Sequence, residues 1–283
     1  MILALTIGAA AGSARAGEAP CWYEHGAVVV SARLGDIAGD FLLDLSAPQS
    51  QLHETRAQGD GIADKEVTRP LILAGRPLGE RRFVVVDLDA RNRGFPTEIS
   101  GVIGADALAG YVADLSLRPC RIGVWRDHAP RFRGGRHVTL HTLAGTPTVE
   151  ARVFDGADAA TGLFAIDTGS QGVRVAGHAA MLARTPRGVD AASRATPPAR
   201  LAALTLAGAR LQNVPAGLEP GAPAERLGGI GNTVWERYRV RIDLRRGVLE
   251  LGPRSASLPF MGRNRDAQRR RMGASGPSTP IAK

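Results

Sequence analysis

The sequence predicts an all-β protein, mainly antiparallel, folded as two lobes with short helices and a cleft between the lobes. Three observations predict it. The chain repeats itself: Phe41-Leu42-Leu43-Asp44-Leu45-Ser46-Ala47 has a stronger twin in Phe164-Ala165-Ile166-Asp167-Thr168-Gly169-Ser170. Its 35 glycines and 18 prolines punctuate short apolar runs, as expected of a turn-rich β protein. Each copy of the motif ends an apolar strand in an Asp followed by small or hydroxyl residues, which holds a carboxylate at the lip of a cleft.

The repeat extends beyond the motif. Ala32-Arg33-Leu34 answers Ala151-Arg152-Val153, and Leu71-Ile72-Leu73-Ala74-Gly75 answers Leu204-Thr205-Leu206-Ala207-Gly208. Gly101-Val102-Ile103-Gly104 answers Gly228-Gly229-Ile230-Gly231, and a tyrosine follows each, at Tyr111 and Tyr238. The spacing between partners drifts along the chain, which puts the length differences in loops and makes this one fold present twice. At 283 residues, two lobes of a little over a hundred residues each are the natural division.

In order, residues 1–16 run from Ile2-Leu3-Ala4-Leu5 to Ala14-Arg15-Ala16, the pattern of a secretory signal ending in a small-x-small cleavage site, although without a basic start. Residues 21–126 form the expected N-terminal lobe. Its strands run from Ala27 to Leu34 and Gly39 to Asp44, then through Leu71–Leu73 and Arg82–Val86 about a turn at Gly75–Gly79. A short helix is expected near Ala105–Gly110 and a last strand region through Leu115–Trp125. Polar residues 56–70 are expected to form a hairpin over the cleft. Residues 127–136, with Pro130, Gly134 and Gly135, read as the interlobe linker, and 137–261 as the C-terminal lobe. In that lobe strands are expected near Val138–Leu143, Thr148–Phe154, Gly162–Asp167, Leu201–Leu206 and Val240–Leu251, with helical patches at Ala179–Arg184 and Thr233–Arg237.

The net charge of +9 is unevenly placed: residues 262–283 hold six basic side chains against Asp266 alone. That tail, rich in Gly, Ser and Pro, reads as a solvated, disordered end, and nucleic acid is not an expected partner. A lipid or nucleic-acid contact through Arg269-Arg270-Arg271 is the outside alternative. No apolar run reaches the ~18 residues of a membrane-spanning helix. Export to the periplasm or medium gives the two cysteines a meaning, since disulfides persist there. A Cys21–Cys120 bridge is expected, and closing so long a loop contributes ~4 to 5 kcal/mol in the chain-entropy treatment.

With these residues in view, the chain resembles the bilobal aspartic proteases, more closely the short-lobed bacterial pepsin-like and retropepsin-like proteins. The family pattern is a strand ending in Asp-Thr/Ser-Gly-Ala/Ser/Thr, then two apolar residues and a Gly before a short helix. Asp167-Thr168-Gly169-Ser170 and Val102-Ile103-Gly104 match it fully and Gly229-Ile230-Gly231 loosely; the likeness covers about residues 27 to 252. Lobe one departs, with Leu45 and Ser46 where Thr and Gly are expected. The resemblance implies an aspartic-protease-like β-barrel fold, Asp44 and Asp167 as a catalytic pair, a peptide or protein substrate, a monomer, and no cofactor or metal. It also implies that Thr168 bonds across to the opposite lobe, Gly169 lets main chain approach a carboxylate, and the Ser170 hydroxyl bonds the acid. Leu45 has no hydroxyl to return the bond, and Ser46 is free to donate to either Asp44 or Asp167.

Two facing carboxylates can hydrolyse a peptide without a metal, because they share one proton and so offer a base and an acid together. Restoring Thr-Gly at 45–46 is expected to raise activity. The alternative is a degenerate protease fold that binds peptides without cleaving them, with Asp44 an ordinary turn acid. Other chemistries are thin: His137 and His141 lie on a strand with no further acidic ligand, and there is no Gly-x-Ser-x-Gly elbow or phosphate-cradling Gly-rich loop with Lys.

Overall fold

The computed structural model describes residues 17–127, 129–177 and 199–254. The signal segment, the basic tail and the helical patch expected at Ala179–Arg184 lie outside them. In chain order the first half is β1 (Glu18–Pro20), β2 (Trp22–Glu24), β3 (Ala27–Leu34), β4 (Ile37–Leu43), β5 (Gln51–His53), α1 (Glu54–Gly59), β6 (Glu66–Leu73), β7 (Arg76–Val86), α2 (Asp89–Asn92), β8 (Ile99–Ile103), a 3₁₀ turn at Ala105–Leu108, β9 (Val112–Leu117) and β10 (Cys120–Trp125). The second half is β11 (Arg136–Leu143), β12 (Thr146–Asp155), β13 (Asp158–Ile166), β14 (Val173–Ala176), β15 (Arg200–Leu206), β16 (Ala209–Glu219), β17 (Gly228–Ile230), α3 (Asn232–Trp235), β18 (Tyr238–Asp243) and β19 (Val248–Pro253).

The two lobes have the same topology. Lobe one orders its strands β2-β3-β4-β8-β5-β7-β6 and closes on itself through β3–β6; lobe two orders them β11-β12-β13-β17-β14-β16-β15 and closes through β12–β15. The landmarks read from sequence sit at matching registers. Ala32 pairs with Gly39 as Ala151 pairs with Gly162, and Arg33 faces Ile72 as Arg152 faces Thr205. Closure leaves few free edges, and the alternation along β3, where Val28, Val30, Ala32 and Leu34 are buried, fills the barrel interior.

The parallel pairings β4–β8 and β13–β17 put the paired glycines directly beside the motif strands. A side chain at Gly101 would strike the Gln51 carbonyl, and one at its counterpart Gly228 would strike the Arg174 carbonyl. These glycines permit strand contact and carry no chemistry.

A six-strand sheet, β1-β10-β9-β18-β19-β11, joins the lobes. Its central pair β9–β18 places Asp114 opposite Arg241, where a bidentate ion pair forms at 2.5 and 2.8 Å. Arg241 also donates to the Pro130 carbonyl and stacks on Phe132, pinning the linker expected at 127–136 to this sheet. The Cys21–Cys120 disulfide is formed, beside the β1–β10 pairing that brings the two residues together.

Two local expectations are corrected. Residues 56–70 do not form a hairpin over the cleft: their first part lies in α1 and their last in β6, where Glu66 to Pro70 pair with β7, and none of them lines the cleft beside the acids. The polar character of that stretch is that of a solvated strand face. The turn expected over Gly75–Gly79 is tighter, at Ala74–Gly75 with both residues at positive φ, while Gly79 takes its positive φ at an irregularity in the β6–β7 register. The helices expected at Ala105–Gly110 and Thr233–Arg237 are the short turns Ala105–Leu108 and Asn232–Trp235.

Candidate active site

Each motif loop is hung from the strand beside it. The Asp44 amide donates to the Ile103 carbonyl and the Asp167 amide to Ile230, both at 3.0 Å, so the two aspartates occupy equivalent places. Below them the Ala105 amide donates to Ala47 and the Asn232 amide to Ser170, again as equivalents. Both acids are buried, Asp44 at 4% exposure and Asp167 at 0%.

Across the lobe boundary the equivalence fails. Thr168 Oγ1 donates to the Leu43 carbonyl at 2.7 Å and accepts from the Leu45 amide at 3.0 Å. Its own carbonyl accepts from the Val28 amide, and Asn232 Nδ2 reaches the Gly26 carbonyl. Lobe one returns none of these: Leu45 turns into the apolar core at 1% exposure, and Pro147, the counterpart of Val28, has no N–H to give. Gly169 packs so tightly on lobe one that a Cβ there would lie 2.5 Å from the Asp44 carboxylate. Ser46 takes the local option of the two open to it, donating from amide and hydroxyl to Asp44 Oδ1 at 3.0 and 2.6 Å.

The two carboxylates are driven apart in acidity. Burial pushes Asp44 up, but the positive Arg91 and hydrogen bonds from Ser46 and Arg91 more than reverse this and hold it below the usual range. Asp167 is raised, by burial first and then by the negative charge of Asp44, with Arg174 and a Ser170 hydroxyl bond only partly opposing. The surroundings thus favour the charge on Asp44 and the proton on Asp167, the direction of split that distinguishes base from acid in a carboxylate pair.

Arginines supply what the sequence reading missed. Arg91, on α2, donates from Nη2 to Asp44 Oδ2 at 2.6 Å. Arg174, on β14, sets its Nη2 2.6 Å from Asp167 Oδ2, an ion pair without hydrogen-bond alignment, so that Oδ2 keeps an unused acceptor site. Arg226 pairs with Glu219 at 2.5 Å on the same side. The three arginines and Glu219, with Asp44, Ser46 and Ser170, line a cleft of about 450 Å³, while Asp167 is fully buried and is not part of its lining. Arg174 was findable in principle: it stands as far past Asp167 as Gln51 stands past Asp44, and the registers of β14 and β5 make the two equivalent. Arg91 and Arg226 come from segments with no periodicity to place them.

Among the described residues, His53, Asp87 and Asp89 bring potential metal-ligand atoms together. The ring is already engaged: Nδ1 accepts from the Leu88 amide at 3.3 Å and Nε2 lies 3.3 Å from Asp89. Nε2 then carries the proton and cannot ligate. His53 is a strut beneath the segment that carries Arg91.

No family model and no curated protein matches the sequence. Among solved structures, the chain is similar to the aspartic proteinase from Irpex lacteus, with a TM-score of 0.57 and 14% identity over 86% of this chain and 98% of that one. At that identity the likeness establishes the fold, a bilobal pepsin-like architecture, and not the chemistry.

Proposed function

We propose that the chain is an aspartic-type peptidase whose working pair is Asp44 and Asp167. The observation that carries this reading is the placement of two buried aspartates on equivalent loops, hung alike from the Ile103 and Ile230 carbonyls, with surroundings that shift their acidities in opposite directions. In the proposed reaction, ionised Asp44 takes a proton from water as the water oxygen attacks the peptide carbonyl, while Asp167 gives its proton to the carbonyl oxygen. Collapse of the tetrahedral intermediate releases the amine, which takes up a proton from the Asp44 carboxyl; the diol proton returns to Asp167 and restores the starting state. Asp44 must be ionised and Asp167 protonated, so the rate should have an optimum between their two pKa values. Ser46 and Ser170 hold the acids in place, and Leu45, Thr168 and Gly169 hold the loops.

A second reading has its own support. Both acids face arginines at 2.6 Å, an arrangement equally suited to a cleft that binds peptide and does not cut it. The test is incubation of the full chain with a mixed peptide library from acid to neutral pH, beside Asp44→Asn and Asp167→Asn. Cleavage by wild type alone supports the peptidase; peptide retained uncut by all three supports the binding module.

We further propose lobes at 21–126 and 137–261 about the 127–136 linker, a monomer, and export under the 1–16 signal, the last supported by the Cys21–Cys120 disulfide. Among the described residues no helix is long and apolar enough to cross a membrane.

A further inference from the structure

An extended peptide crossing the cleft meets very little apolar surface beside the acids. Of the residues lining this part, Ala47 alone carries an apolar side chain, and three guanidinium groups, Arg91, Arg174 and Arg226, face it. Opposing them are Asp44, Glu219 and Asp167. In the proposed working state one proton resides on the aspartate pair, which leaves the group one positive charge in excess.

Those charges are also incompletely answered. Arg226 is nine-tenths buried, its side chain 10% exposed, and gives Nη2 to Glu219 Oε1. Its Nε has no hydrogen-bond partner, and neither has the buried Nε of Arg174. Buried donors of charged groups are rarely left unpaired, because the desolvation is then uncompensated. Arg174 is held on a strand between two neighbours of its sheet, β16 and β17, and Arg226 lies just before β17, so both project from fixed backbone. Guanidinium on a rigid support suits a planar carboxylate, which it can grip with two parallel bonds.

We propose that Arg174 and Arg226 form an anionic subsite that selects peptides carrying a carboxylate next to the bond held at Asp44 and Asp167. The identity of the ligand as a peptide rests on the peptidase reading; the anionic preference rests on the arginines. An apolar side chain entering here would strip water from three guanidinium groups and offer nothing in return. A carboxylate would instead pair with the guanidinium ends that open to the cleft, that of Arg174 above all, whose side chain is 36% exposed.

The test uses the full-length chain and a set of internally quenched peptides identical except at the positions flanking the central bond, which carry Glu, Gln or Leu. All have blocked ends, and one further Gln peptide keeps a free C-terminal carboxylate. Binding is followed by fluorescence anisotropy and cleavage by mass spectrometry, at low and high salt. The expected result is a preference for Glu over Gln of about tenfold or more, the scale of a charged hydrogen bond, weakened at high salt. Preference for the free-ended Gln peptide instead would assign the subsite to a chain terminus. Arg226→Met and Arg174→Met should each flatten the preference and Arg226→Lys should restore part of it, with melting curves showing that each variant is folded.

Selective binding of the Glu peptide without cleavage supports the subsite and overturns the peptidase reading. Cleavage indifferent to charge, at both salt concentrations, overturns the subsite and leaves the peptidase standing. Neither binding nor cleavage of any peptide overturns both.

Discussion

The two motif loops start from the same backbone and end in different chemistry. Asp44 and Asp167 hang from equivalent carbonyls, yet the side chains that cross the lobe boundary beside them, Thr168, Asn232 and Thr146, whose hydroxyl donates to the Ser46 carbonyl, belong to lobe two. Leu45 spends the place of a grip on core packing, and Ser46 serves its own aspartate. The comparison teaches that the hold can be one-sided: Thr168, as donor and acceptor at once, satisfies both a carbonyl and an amide of the opposite loop.

The sharpest way to break the comparison is to remove each acid. Asp44→Asn and Asp167→Asn should each lower kcat/KM on a fluorogenic peptide by roughly 10²- to 10⁴-fold, the range of general acid–base catalysis. Should Asp44→Asn leave turnover intact while Asp167→Asn removes it, lobe one is not a partner. A second copy's intact motif would then have to be, and activity would depend on the square of protein concentration.

Thr168→Val tests the one-sided hold. It strands the Leu45 amide and the Leu43 carbonyl, both buried, at about 1 to 3 kcal/mol each at most, and a lower urea midpoint with unchanged m is expected. The reciprocal change, Leu45→Thr with Ser46→Gly, was expected from sequence to improve the enzyme. That expectation concerns activity; in stability the change should cost, because one hydrogen bond contributes about 0.5 to 1.5 kcal/mol net, against about 1.5 to 3 kcal/mol for a buried leucine, and Ser46→Gly would also remove the hydroxyl bond to Asp44.

The fold was legible because a repeat writes itself twice in a sequence. Glycine pairs, motif strands and the drift between landmarks all carried register information, and the lobe topologies agree with it residue for residue. The surroundings of the acids were far less legible. Leu45 read as a missing hydroxyl, and only its burial shows what replaced it. Arg91 reaches the cleft from the single helical turn α2 and Arg226 from a loop, too short or too irregular for period or propensity to say which way a long side chain points. The stretch 56–70 misled because polarity marks both a mobile hairpin and the wet face of a strand.

Arg91→Met sharpens the electrostatic half of the comparison. Without that cation, Asp44 should lose the main force holding its pKa down, and the acid limb of the rate profile should move to higher pH. The basic limb, set by Asp167, should move less.

The smallest effect concerns stability. A carboxyl raised on folding contributes nothing unfavourable while protonated in both states; stability is lost as pH rises from its unfolded pKa through its folded one. Asp167→Asn removes that loss. Its melting temperature relative to wild type should therefore be a few degrees higher near pH 7 than the same difference measured near pH 3, partly offset by the unpaired Arg174.

Asp114 and Arg241 face one another at the centre of the bridging sheet, and by the register of the repeat each is the other's counterpart. An arrangement of two identical halves would put like charges there, Asp against Asp or Arg against Arg, nearly buried and repelling. The single opposite pair works as a key cut differently on its two sides. It rewards the union of a first half with a second, and it penalises the mispaired dimers that two nearly interchangeable halves would otherwise form as the chain folds.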